Sequence, residues 1–179
     1  CTSIFSIKND EKVDVLIVDD GSFENTINET ELLKNKNFKG SIFFIYNETN
    51  KGIEHVLNQG LKFILEKKVY KYIARLDCGD LCLENRFYLQ EKYLNNHLQC
   101  KLVGSNAIAI DTNGKELYKT ILPENSNTIK NKMYLNAMFL HPTVMFCSSI
   151  INEIGYYPTE YKAAEDYAFF FKIVQKYET

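Results

Sequence analysis

Apolar residues arrive in this chain as short dense runs, separated by stretches whose apolar positions recur at helical spacing. Val13 to Val18 (VDVLIV) is nearly all apolar and rich in β-branched side chains, the pattern of a strand buried on both faces. Ser41 to Tyr46 (SIFFIY) repeats the pattern, and Tyr70 to Leu76 forms a third such run. Between them, Gly52 to Glu66 places Ile53, Val56, Leu57, Gly60, Leu61 and Ile64 on one face, which predicts an amphipathic helix. Glu24 to Lys34, Asn85 to Asn95 and Ser126 to Leu135 read as further helices, and Leu102 to Ile110 as another strand. Asp111-Thr112-Asn113-Gly114 has the chemistry of a hairpin turn leading into Glu116 to Ile121. Val144 to Cys147 is a short strand, Ser148 to Ile154 a short helix closed by Gly155, and Glu165 to Tyr177 a helix with an apolar stripe of Phe169, Phe170, Ile173, Val174 and Tyr177. The order β-α-β-α-β-α-β-β predicts one α/β domain over residues 1–179, with a largely parallel sheet flanked by helices and a mixed section near its C-terminal end.

Polar residues interrupt this pattern most sharply at two strand ends. Val13 to Val18 stops on Asp19-Asp20-Gly21-Ser22, where Gly21 permits a sharp exit turn and Ser22 is placed to cap the next helix. Tyr70 to Leu76 stops on Asp77-Cys78-Gly79-Asp80. Acids at the carboxyl end of a buried strand cost free energy unless they meet a ligand, a cation or hydrogen-bond donors. In open α/β sheets that edge is where ligands sit. Glu165 and Asp166 add a third acidic cluster. Any one cluster is about as well explained by helix capping as by function. Two of them opening on the same sheet edge suit a divalent cation or a polyol, since Mg²⁺ is commonly held by one or two carboxylates plus substrate phosphates. His141-Pro142 is a weaker candidate, equally well read as the start of an extended segment.

Composition narrows the classes. A net charge of −2 with scattered lysines leaves no basic stripe for nucleic acid, and no aromatic stripe interleaves with basic residues. No apolar run is long enough to cross a bilayer, and no secretory signal is visible. The five cysteines, Cys1, Cys78, Cys82, Cys100 and Cys147, lack the paired spacings of a structural zinc site and read as thiols in a reducing cytoplasm. The chain opens on Cys1 within structured-looking sequence and closes on Lys176-Tyr177-Glu178-Thr179 in or just after a helical pattern, which reads as a piece of a longer protein.

Taken in order, five segments resemble the family 2 glycosyltransferases, which have the nucleotide-sugar-binding GT-A fold. They are VDVLIVDDGS, NETNKGIEHVLNQGL, ARLDCGDLCLENRF, LVGSNAIAIDTNGKEL, and HPTVMFCSSIINEIGYYP followed by AEDYAFFFKI. The resemblance implies that Asp20 contacts the nucleotide base while Asp19 shapes the same turn. Asp77 matches the first acid of the family's D-x-D motif and binds ribose or metal. Gly79 stands where the second acid, the usual metal ligand, is expected, and Asp80 next to it is the candidate replacement. Asp166 matches the catalytic base, and Asn50, Gly52, Arg75, His141 and Glu165 fall among the substrate-side positions. The implied partners are a nucleotide-diphosphate sugar donor, with UDP the first choice, a glycan or lipid-linked acceptor, and Mg²⁺ or Mn²⁺. The implied setting is bacterial surface polysaccharide synthesis, cytoplasmic, with the full-length protein associated peripherally with the inner face of the membrane. Cys1 to Ile7 aligns with the end of the family's first helix, so the first strand, most of that helix and the C-terminal acceptor part are expected to be missing. Ser3 to Ile7 as the first strand itself is the other alignment. Two rivals share parts of the pattern. A receiver-type signalling domain also opens on LIVDD, but SIFFIY ends without the aspartate it needs. A nucleotidyltransferase lacks its basic glycine-rich loop here. A binding-only or inactive fragment is the remaining alternative.

Overall fold

The computed structural model describes residues 2–8, 12–24, 27–36, 38–83, 85–161 and 163–179. Helix α1 (Thr2–Phe5) is followed by β1 (Val15–Asp19), α2 (Glu29–Asn35), β2 (Ile42–Tyr46), α3 (Ile53–Lys67), β3 (Tyr72–Ala74) and α4 (Arg86–Asn96). Then come β4 (Leu102–Val103), β5 (Ala107–Ile110), β6 (Glu116–Thr120), α5 (Ser126–Lys132), β7 (Met145–Cys147), α6 (Ile151–Ile154) and α7 (Glu165–Lys176). One-turn 3₁₀ segments at His141–Thr143 and Ser148–Ile150 flank β7.

The α/β class expected from the sequence is what the chain adopts, but the sheet falls into three pieces. β1 and β2 are parallel, from Val15 opposite Ile42 to Asp19 opposite Tyr46. β3, β7 and β4 form a second piece in that order, with β7 antiparallel to both neighbours. β5 and β6 form a separate hairpin. The expected largely parallel sheet is therefore realised as one parallel pair among the described residues. The reason is β7, a late strand that inserts antiparallel between β3 and β4. The expected single strand 102–110 is broken at Gly104, where a Cβ would approach the Phe139 ring at 3.2 Å, and Ser105 donates its amide to Thr143 Oγ1 at 3.2 Å.

Two apolar layers clamp the β3–β7–β4 piece. On one side lie Leu57 and Leu61 of α3, Ile129 of α5 and the α7 stripe, with Phe169, Phe170, Ile173 and Val174 essentially inaccessible. Each such side chain contributes about 1.5–3 kcal/mol by burial. Ile4 and Ile7 from the N-terminal segment, with Phe87 and Leu94 from α4, form the other layer. β1 departs from expectation: Val15 to Val18 are only half-buried, although their composition suits a strand covered on both faces. The Ser22 cap is not formed, since α2 starts later and is capped by Asn28, whose side chain accepts the Glu31 amide. Part of the helix expected from Glu24, at residues 25 and 26, lies outside the described residues, as does Cys1. Cys100 and Cys147 are buried thiols and Cys78 is exposed. No helix among the described residues is long and apolar enough to cross a membrane.

Candidate active site

The first wall of the site is built where β1 ends. Asp19, 9% exposed, accepts the Ser22 amide at 2.8 Å, which closes the turn on itself. Gly21 has φ +78°, and a Cβ there would lie 2.8 Å from the Thr49 carbonyl carbon, so only glycine lets the two loops touch. Asp20 fastens that contact. Its carboxylate accepts Asn47 Nδ2 at 2.9 Å and the Lys51 and Gly52 amides at 3.0 Å. Partial burial alone raises the Asp20 pKa, but the Asn47, Lys51 and Gly52 hydrogen bonds and the Lys51 charge outweigh it and hold the carboxyl below its ordinary value. Asn50 Oδ1 also accepts the Gly52 amide, at 3.1 Å, and Gly52 turns the chain into α3 with φ +92°. Asp19, Asp20, Asn50 and Gly52 are thus brought together. Beside them opens a cleft of about 270 Å³, lined by Asp19, Gly21, Ser22, Phe23, Tyr46 and Asn47 among others. Phe23 is 89% exposed on its rim.

The second wall follows β3. Arg75 Nη2 meets Asp77 Oδ1 at 2.5 Å, while Arg75 Nε is buried without a hydrogen-bond partner. Asp77 opens a turn in which the Asp80 amide donates to the Asp77 carbonyl at 3.2 Å. Ser3 braces that turn: its hydroxyl donates to the Asp77 carbonyl at 3.2 Å and accepts the Gly79 amide at 2.8 Å. Ser6 does the same one step on, accepting the Cys82 amide at 2.8 Å. Gly79 has open space where a side chain would project, yet its φ of +102° is strained for any other residue, which accounts for a glycine at the expected acid position. No group of three or more His, Cys, Asp or Glu that could hold a metal occurs among the described residues. Asp77 and Asp80 stand three residues apart on one turn, and the Asp77 carboxylate is already engaged by Arg75.

The third wall comes from the C-terminal half. His141 Nε2 lies 3.1 Å from the Tyr157 hydroxyl, and its ring packs edge-on against Phe170. Burial, then the nearby Arg75 charge, lowers the His141 pKa to about 3, so the imidazole is neutral. Tyr157 is raised by burial, with Arg75 opposing and the charges of Asp166, Glu165 and Asp77 adding to the shift. Those influences mark one electrostatic neighbourhood containing Arg75, Asp77, His141, Glu165 and Asp166. Glu165 is only 7% exposed, and its Oε2 has no hydrogen-bond partner. A buried carboxylate oxygen without a donor is costly and is expected where a ligand supplies the missing hydrogen bond. Asp166 is half-buried in the first turn of α7 and accepts the Tyr167 amide at 2.6 Å. The capping position belongs to Ala164, so Asp166 is not the helix cap.

Several supporting residues escape sequence reasoning. Asn58 in α3 pairs with the Tyr157 backbone in both directions, Nδ2 donating to its carbonyl at 2.8 Å and Oδ1 accepting its amide at 2.9 Å. Asn47, Ser3 and Ser6 brace the two acidic turns. None carries a local signal, because each acts on a partner far away in sequence.

The fold is an α/β domain with acid-bearing turns at the ends of β1 and β3 and a buried carboxylate at the start of α7. Comparison with known proteins places it more closely. The model of glycosyl transferase family 2 matches residues 2–155, so the chain belongs to that family. It is 32% identical over 127 residues to the amylovoran biosynthesis glycosyltransferase AmsE of Erwinia amylovora, covering 71% of this chain and 46% of that protein. It is 30% identical over 178 residues to an uncharacterized glycosyltransferase of Methanocaldococcus jannaschii, covering 96% of this chain and 58% of the relative. It is 31% identical over 121 residues to the O-antigen biosynthesis glycosyltransferase WbnJ of Escherichia coli, covering 67% of this chain and 46% of WbnJ. The match with each of these relatives therefore spans about half of the relative's own length.

Proposed function

We propose that this chain carries the donor-binding and base-bearing part of an inverting glycosyltransferase. It would move a sugar from a nucleotide-diphosphate donor, with UDP the favoured nucleotide, to a hydroxyl of a glycan or lipid-linked acceptor in surface polysaccharide assembly. The observation that supports this reading is the surroundings of the Tyr157 hydroxyl, which feels the charges of Arg75 and Asp77 at the end of β3 and of Glu165 and Asp166 at the start of α7, and which lies 3.1 Å from His141 Nε2. One pole holds the donor and the other takes the proton. In the reaction the acceptor oxygen forms a bond to the anomeric carbon on the face opposite the diphosphate. The bond from that carbon to the diphosphate oxygen breaks, its electron pair leaves with the nucleoside diphosphate, and the acceptor hydroxyl proton passes to the Asp166 carboxylate. Asp19 and the turn held by Asp20 line the nucleotide side. Arg75, with its unpartnered Nε, faces the charge of the diphosphate. Glu165 Oε2 accepts a hydrogen bond from a sugar hydroxyl. A divalent cation bound by Asp77 and Asp80 would offset the negative charge that grows on the leaving diphosphate.

The test is calorimetry of UDP binding to the full-length protein with Mn²⁺ and with EDTA, beside transfer assays with a panel of UDP-sugars. Affinity is expected to fall at least tenfold in EDTA, and the loss to shrink in Asp77→Asn and Asp80→Asn. Equal affinity in EDTA would remove the cation from the reading, and failure of any nucleotide-sugar to turn over would remove the reaction.

A further inference from the structure

Arg86 is the first residue of α4, the helix end at which the dipole disfavours a cation. Its guanidinium is half-buried and directs donors inward, onto the backbone of other elements. Nη2 donates to the Arg75 carbonyl at 2.7 Å and, at 3.4 Å, to the Val144 carbonyl. Nε donates to Gln90 Oε1 at 3.2 Å, one helical turn further on. Gln90 is only 5% exposed and extends the contact, because its Nε2 donates to the Thr143 carbonyl at 2.7 Å. Two side chains on one face of α4 thus form a clip that reaches three main-chain carbonyls.

Those carbonyls belong to two walls of the site. β3 ends at Ala74, so the Arg75 carbonyl lies where the strand gives way to the turn that carries Asp77 and Asp80. A main-chain carbonyl that leaves its ladder still needs a donor, and a charged donor bonds more strongly than a neutral one. Thr143 and Val144 lie between the one-turn segment that starts at His141 and the strand β7. The Arg75 amide donates to the Val144 carbonyl at 2.9 Å, so residue 75 is held through both of its backbone groups. The clip takes hold of the main chain and leaves the site's side chains to their own contacts. Arg75 stays on Asp77, and the His141 ring stays beside the Tyr157 hydroxyl. Lysine in place of Arg86 would keep the charge but not the planar fork that serves Arg75, Val144 and Gln90 together.

We propose that Arg86 and Gln90 are positioning residues, which fasten the Arg75–Asp77 wall to the His141 wall and set the spacing between them from α4. Arg86 governs the end of β3 and Gln90 the approach to β7. The consequence for donor affinity rests on the proposed nucleotide-sugar site, whereas the fastening itself does not.

The test compares the full-length protein with Arg86→Lys and Gln90→Glu, by amide hydrogen exchange and by calorimetry of UDP in Mn²⁺. Arg86→Lys should speed exchange of the Arg75, Asp80 and Thr143 amides by about tenfold or more, with the Val15 and Asn47 amides of the β1–β2 ladder staying within about threefold of the parent. Gln90→Glu keeps an acceptor for Arg86 and loses the donor to Thr143, so its acceleration should be confined to the Thr143 amide. UDP affinity should fall about tenfold in Arg86→Lys but less than about threefold where Arg75→Ala is already present, since an effect exerted through Arg75 cannot be lost twice. Unchanged exchange at Arg75 and Asp80 would overturn the proposal. So would equal acceleration at the β1–β2 references, which marks a general loss of stability, or affinity losses that add in full. A parent protein that binds no UDP would remove the donor reading instead, and the exchange pattern would then decide the clip alone.

Discussion

Asp20 is the position where structure and sequence ask for different experiments. The family resemblance implies that it contacts the nucleotide base, and in the folded chain both of its oxygens also accept hydrogen bonds from the molecule itself. Asp20→Ala removes the acceptor of the Asn47 side chain and of the Lys51 and Gly52 amides. A hydrogen bond to a charged group contributes about 1.5–3 kcal/mol. Water reaches the Lys51 and Gly52 amides and replaces part of what is lost, which puts the cluster nearer ~2–3 kcal/mol than the sum of its members. For a domain of this size each 1 kcal/mol moves Tm by about 2–4 °C, so the alanine variant should melt roughly 4–12 °C lower at pH 7. Asp20→Asn keeps one acceptor oxygen and should lose about half as much. The pH dependence has a definite sign. A carboxyl held below its unfolded value of 3.8 contributes fully above that pH and loses its contribution as pH falls through the folded value. Thermal unfolding followed by circular dichroism from pH 7 downward should therefore show the two melting curves converging below pH ~3.8. An alanine variant within about 1 °C of the parent at pH 7, or a gap that persists unchanged at low pH, would show that the clamp is not what Asp20 does.

Other expectations follow from the second and third walls. Asp166→Asn should lower turnover by about 10²–10⁴-fold with donor affinity nearly unchanged, as for a positioned general base. Its Tm should hardly move, because Ala164 and not Asp166 stands at the cap; steady-state kinetics beside calorimetry checks both. Asn58→Ala leaves the partly buried Tyr157 amide and carbonyl without partners and should cost about 1–3 kcal/mol, read by urea unfolding. Retained stability there would mean that water takes over the pair. His141 should give no imidazole titration by NMR between pH 5 and 8, since its folded pKa lies near 3 against 6.5 unfolded. Because the unfolded chain binds that proton first, stability should fall as pH drops below 6.5, and less steeply in His141→Gln. A normal titration near 6.5 would place the ring in solvent.

Sequence alone determined the elements that local chemistry controls. The apolar runs became β1 and β2, the 3.6-residue stripe became α3, and Phe169, Phe170, Ile173 and Val174 became the buried face of α7. It also singled out the acids that end β1 and follow β3, because carboxylates after apolar strands are unusual enough to notice one at a time. Tertiary structure decided what each acid touches. Nothing local says that Asp20 closes on Asn47, Lys51 and Gly52, or that Ser3 braces a turn more than seventy residues away. Nor does an apolar triplet such as Met145–Cys147 reveal that it will insert antiparallel between β3 and β4, since strand order depends on which edges are free when the layers pack. The half-buried faces of β1 show both kinds of information meeting. Its residue types state how much burial the strand is built for, and only the arrangement of its neighbours reveals how much of that burial is unmet.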